Sequence, residues 1–239
     1  MHTNPQPAAD VTHPGGMNAS RVLPTAARDH LDPFVVFERF YIAPDQGFET
    51  HPHRGFEIVS YMLEGRMAHD DSLGNADVVG PGDAMRVTTG SGIRHSEMPD
   101  GGACNGLQLW VNLPRELKET DPGYGDAAAA ELPTTETGGA TVTTVVGEGS
   151  PVGLHTPVEY HDARIDDEWT WTVPDGWNGF CYGVSGSGTA ADEPMTAGEF
   201  VAVEGGDSVP LATDGSFRVA AIAGRPHDEP IRQRGPFVE

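Results

Sequence analysis

Lysine is almost missing from this chain: Lys118 is the only one, and Lys and Arg together number 14 against 36 Asp and Glu in 239 residues. The formal net charge of −22 repels nucleic-acid phosphate and anionic membrane surfaces, so direct nucleic-acid binding is not expected. The acidic residues are dispersed, with no single block that would mark a docking face for a basic partner. Dispersed charge of one sign reads as a hydrated surface whose self-repulsion is screened by salt. A halophilic, high-salt cytoplasm is therefore the expected setting. The melting temperature should rise between dilute buffer and molar salt, and an unchanged value would remove this reading.

Cysteine is also scarce. Cys104 and Cys181 are far apart and form neither a CxxC nor a zinc spacing, so buried free thiols are expected. No apolar run approaches the roughly 18 residues of a membrane span, and the start lacks a basic segment followed by an apolar one. The reading is a cytoplasmic chain with no membrane partner, taken as a monomer.

What is abundant is glycine (31) and proline (20), with only 37% hydrophobic residues, which favours many short strands and tight turns over long helices. Predicted strands are Pro33–Ile42, Phe56–Leu63, Ala84–Thr88, Gly106–Leu113, Ala140–Val146, Glu168–Val173 and Gly179–Val184. Gly80-Pro81-Gly82-Asp83 and Thr89-Gly90-Ser91-Gly92 mark turns between them. Residues 1–19 are polar, rich in Pro and Gly and without periodicity. They read as a disordered arm that leaves His2 and His13 outside any site. The expected division is a first domain over 20–114, a linker over 115–139 with a helical turn near Ala127–Leu132, and a second domain over 140–239.

Two histidine patterns stand out. His51-Pro52-His53 and His95-Ser96-Glu97 both place side chains at i and i+2, on one face of an extended strand. Side by side, these strands would bring His51, His53, His95 and Glu97 to one point. Neutral nitrogen and anionic oxygen suit one divalent metal: Fe(II), Mn, Ni, Cu or Zn. Four ligands around an octahedral ion leave two positions for a chelating small-molecule substrate, or for substrate and O2.

The strings HPHRGFE (51–57) and GSGIRHSEMP (90–99), followed by GLQLWVNLP (106–114), closely resemble the pirin family. The similarity runs from Arg21-Val22-Leu23-Pro24 to Gly235-Pro236-Phe237-Val238. It implies an all-β fold of two tandem cupin domains, each a jelly-roll-like β-barrel. It also implies that His51, His53, His95 and Glu97 bind the metal, Fe(II) first among the candidates. Pirin-like proteins include enzymes that open the flavonol quercetin with O2, and by that resemblance Glu97 would also be the catalytic base. They include too a non-catalytic iron protein that acts as a transcription cofactor, so a redox-sensing regulator with a protein partner is the alternative. Phe56, Met98 and Trp110 are candidates for the pocket wall or the barrel core. Arg54 is read as a surface or supporting pair, and Cys104 as a rim thiol.

A degenerate repeat sharpens the reading. Gly55-Phe56 precedes Gly82-Asp83 by 27 residues, and Gly179-Phe180 precedes Gly206-Asp207 by the same interval. Carried across, the four ligand positions fall on Asp175, Trp177, Val219 and Ala221, which cannot form the same site. The second domain is expected to hold no metal.

Overall fold

The computed structural model describes residues 1–14, 16–25 and 28–239. Almost everything regular in it is strand; the two short helical turns are 3-10, Arg115–Leu117 and Ala129–Glu131, the second where a turn was expected. The chain divides into two compact units. One comprises 9–131, 154–156 and 227–239; the other comprises 1–8, 132–153 and 157–226. Each is a β-sandwich cupin.

In the first unit a seven-stranded antiparallel sheet runs in the order Gly123–Ala127, Ala84–Thr88, Phe56–Glu64, Cys104–Asn112, Phe34–Ile42, Asn18–Leu23, Ala9–Thr12. A four-stranded sheet, in the order Phe48–His53, Ile93–Pro99, Met67–Asp71, Ala76–Val79, completes the sandwich. Phe34–Ile42 and Phe56–Glu64 are nearly buried throughout, as their dense β-branched and aromatic content requires of central strands. Ile93–Pro99 instead alternates: Ile93, His95 and Glu97 are buried, whereas Arg94 and Met98 are exposed. That period of two delivers the ligand candidates inward.

In the second unit Asn178–Ala190 and Phe217–Gly224 pair at the centre of the main sheet. Val219 and Ala221 have no solvent exposure and belong to its apolar core, beside Trp171 and Phe217. Asp175 and Trp177 lie in the turn between strands. The four positions thus supply a turn and a core wall.

Three expectations need correction. The supposed disordered arm contains the strands Gln6–Pro7 and Ala9–Thr12, the first paired with Glu199–Val203 and the second with Asn18–Leu23. Backbone pairing to existing sheet edges orders a segment that has no apolar period of its own. The supposed linker contributes Gly123–Ala127 to the first unit's sheet and Thr134–Glu136 to the second's. Finally, residues 227–239 pack in the first unit although they follow the second in sequence. A carboxylate anchors that segment at its start, where Asp32 accepts from the backbone of His227 at 3.1 Å and of Asp228 at 2.9 Å. At its end the Val238 amide donates to the Arg54 carbonyl at 3.0 Å.

Candidate metal centre

Phe48–His53 and Ile93–Pro99 pair antiparallel with His95 directly opposite His51 and Ile93 opposite His53. An irregularity between His95 and Glu97 then shifts the register, so that Glu97 faces Phe48. Such a bulge re-aims the side chains beyond it. The ligating nitrogens of His51, His53 and His95 lie within 4.8 Å of one another, and the Nε2 atoms of His51 and His95 are 3.1 Å apart. Glu97 stands outside this tight trio but lines the same cavity, beside His51 and His53.

The second nitrogens settle which atoms point inward. His51 donates Nδ1–H to the Glu49 carbonyl at 2.8 Å, and His53 donates Nδ1–H to the Pro236 carbonyl at 3.2 Å. Both Nε2 lone pairs are thereby left for the cavity, the arrangement by which proteins orient imidazole ligands. Burial pushes His53 down to about 3, helped by the positive charge that His95 and His51 would carry; the Pro236 hydrogen bond and Glu97 act against this. His95 is likewise pushed to about 3, by burial and then by His51 and His69. His53 and His95, disfavoured as imidazoliums, crowd nitrogen to nitrogen with His51, and the three form a donor set for a divalent cation.

The sign of the pH effect follows. These folded-state values lie below the ordinary 6.5, so between pH 6.5 and about 3 the unfolded chain binds protons that the folded chain does not. Stability of the metal-free protein is full above 6.5 and is lost as pH falls through that window, by at most about 1.4 kcal/mol per pH unit for each imidazole. Thermal melts of metal-free protein at pH 7 and pH 5 should show the drop, and His53→Gln should make it shallower.

Around the trio, Phe56 is fully buried and stacks on Trp110 at 4.3 Å, and His53 meets both rings edge-on. Trp110 lines the cavity; Met98 is 39% exposed and lines an adjoining space beside Phe48 and His51. Gln108 donates to both oxygens of Glu97, at 3.1 and 3.4 Å, and accepts from Trp110 Nε1 at 3.0 Å. Behind His95, the buried His69 pairs with Asp71 at 3.1 Å. Arg54 pairs with Glu119 on the surface. Burial pushes the Cys104 thiol up to about 11 and Cys181 to about 12, which leaves both unreactive.

Sequence reasoning missed several residues of this cavity: His13, Arg21, Glu38, Gln108 and the carbonyl of Pro236. Only Glu38 carried a readable signal, as a carboxylate interrupting the apolar run Phe34-Val35-Val36-Phe37.

Comparison with known proteins gives the family. The Pirin family model matches residues 16–111, and the model for the pirin C-terminal cupin domain matches 160–239. Pirin of Homo sapiens is 40% identical over 223 residues, covering 87% of this chain and 77% of that protein. A quercetin 2,3-dioxygenase from Acinetobacter baumannii superposes with a TM-score of 0.89 at 25% identity, over 99% of this chain and 83% of that one. A bacterial pirin of Escherichia coli, solved in complex with nickel(II), superposes with a TM-score of 0.78 at 21% identity, over 95% and 99% of the two chains.

Proposed function

The chain belongs to the pirin family, and from that premise we propose that its metal-bearing cupin is a dioxygenase acting on a chelating enol, with quercetin as the family's example. His51, His53 and His95, joined by Glu97, would hold one divalent ion, Fe(II) first among the candidates. The observation that carries this reading is the trio of imidazoles converging beside a cavity, two of which, His51 and His53, have their outer nitrogens tied to backbone carbonyls. When bound, the ion supplies a Lewis acid for the enol oxygens and a site at which O2 can be activated.

The protein's own part is placement and exclusion of water. Trp110 and Phe48 give the cavity apolar walls, and Gln108 fixes the Glu97 carboxylate. The cavity holds about 180 Å³, below the roughly 300–1,000 Å³ of pockets for drug-sized ligands. A single chelating ring fits inside. A flavonol would extend past Phe48 and His51, which also line an adjoining space of about 440 Å³. Among the described residues no helix is long and apolar enough to cross a membrane.

Oxygen uptake by Fe(II)-loaded protein in molar salt, with quercetin and separately with a one-ring enol, tests the proposal. Uptake with either supports a dioxygenase. One equivalent of bound metal with no uptake would turn the reading to a redox-responsive regulator of a protein partner.

A further inference from the structure

The cavity has a second polar wall that takes no part in the proposed ligand set. Glu38, on the central strand Phe34–Ile42, is 4% exposed. One of its oxygens accepts from Arg21 Nε at 2.9 Å and Nη2 at 2.6 Å; the other accepts from His13 Nε2 at 2.8 Å. Burial pushes the Glu38 carboxyl up, but the His13 hydrogen bond and the Arg21 charge outweigh it, and the net direction is down. An ionised carboxylate only accepts, so the neutral form of His13 carries its hydrogen on Nε2 and its lone pair on Nδ1. The polar contacts of the ring, with Glu38 and with Arg21 Nη2 at 3.4 Å, are both on Nε2, and among the described residues none falls on Nδ1.

His13 is held in place rather than loosely attached. Its amide donates to Met17 at 2.8 Å, and its carbonyl accepts from Gly16 at 3.0 Å, closing the turn between Ala9–Thr12 and Asn18–Leu23. Its ring stands edge-on to Phe48 at 5.6 Å, and Phe48 lies 5.8 Å from the His51 ring. The charged and titratable groups that share its cavity are Arg21, Glu38, His51, His53 and Glu97. A carboxylate on the far nitrogen makes an imidazole a better proton acceptor and steadies the imidazolium.

We propose that His13 is a catalytic residue of this cavity: its Nδ1 takes the hydroxyl proton of a small chelating enol or catechol. The O–H electron pair stays on oxygen, which becomes the anionic chelating atom, and the proton rests on an imidazolium paired with Glu38. Glu97 is the competing base, but Gln108 already donates to both its oxygens and metal ligation would engage one of them. The inference rests on the chelating-ligand reading of the site.

The test is an anaerobic titration of protein loaded with Zn(II), which is redox-inert, using 4-nitrocatechol at a pH where the free probe is protonated. The probe's visible band moves to longer wavelength when its hydroxyl ionises. Wild type is expected to bind one equivalent with the band shifted. His13→Gln and His13→Phe should retain the zinc Kd, bind the probe at least tenfold more weakly and leave its band unshifted. An unchanged shift and affinity in both variants would overturn the proposal, as would a wild-type zinc protein that does not bind the probe. Loss of zinc in both variants would also overturn it, because His13 would then support the fold rather than the ligand. Quercetin turnover is measured separately, so its failure alongside an ionised probe would remove the flavonol and leave His13 standing.

Discussion

His95→Ala should lose metal by about 100-fold or more in affinity, and with it all oxygen uptake. Even outer-shell partners of metal ligands are worth roughly 10- to 100-fold, and His95 sits at the centre of the trio. It faces His51 across the strand pair, with the two Nε2 atoms 3.1 Å apart, and its ring lies 4.9 Å from that of His53. Without it two imidazoles and a carboxylate remain on the same pair of strands. The fold should survive. In the metal-free wild type burial and two neighbouring imidazoles keep His95 neutral, so the deletion removes that crowding as well as packing. Metal content after dialysis and melting temperature, read beside a His161→Ala control in the other unit, separate the two effects. A His95→Ala protein that keeps one equivalent of metal would show that the trio is not the centre.

Gly55→Ala is expected to cost heavily in stability. Gly55 has φ +89°, and a Cβ there would sit 2.0 Å from the carbonyl oxygen of Val238 and 3.1 Å from its carbon. Left-handed backbone costs an alanine about 1–3 kcal/mol, and forcing a carbon into a packed carbonyl adds about 1–3 kcal/mol. Together, about 3 kcal/mol or more corresponds to a fall of ~10 °C in a chain of this size. Relief would require the 227–239 segment to lift. That movement takes the Pro236 carbonyl from His53 Nδ1 and the Val238 carbonyl from Lys118 Nζ, which it meets at 3.2 Å. Metal affinity should therefore weaken by roughly tenfold as well. Gly74→Ala is the matched control. Its φ is +92° with nothing within 4 Å, so it pays for backbone strain alone. Equal melting temperatures for the two variants would show that the tail does not press on Gly55.

Much of this was legible because it depends on local periodicity. The strands Ala84–Thr88, Ala140–Val146 and Glu168–Val173 have the bounds that their alternating and β-branched residues suggested. The i, i+2 spacing of His51 with His53, and of His95 with Glu97, is a property of any extended strand. The inward face could be read from it before any partner was known. What spacing could not supply was the bulge beyond His95, since register is set between strands rather than within one.

By itself, then, the sequence determined an all-β chain with a degenerate internal repeat, the imidazoles of its candidate metal centre and a dispersed acidic surface. Each of these is written in residue type and short-range order. Only the tertiary structure decided what surrounds the centre. It set His13 against Glu38, 25 residues away, and brought the carbonyl of Pro236 to His53 across 183 residues. Hydrogen bonds between distant segments carry no periodic signal, because they form only after sheet pairing has fixed where each segment runs.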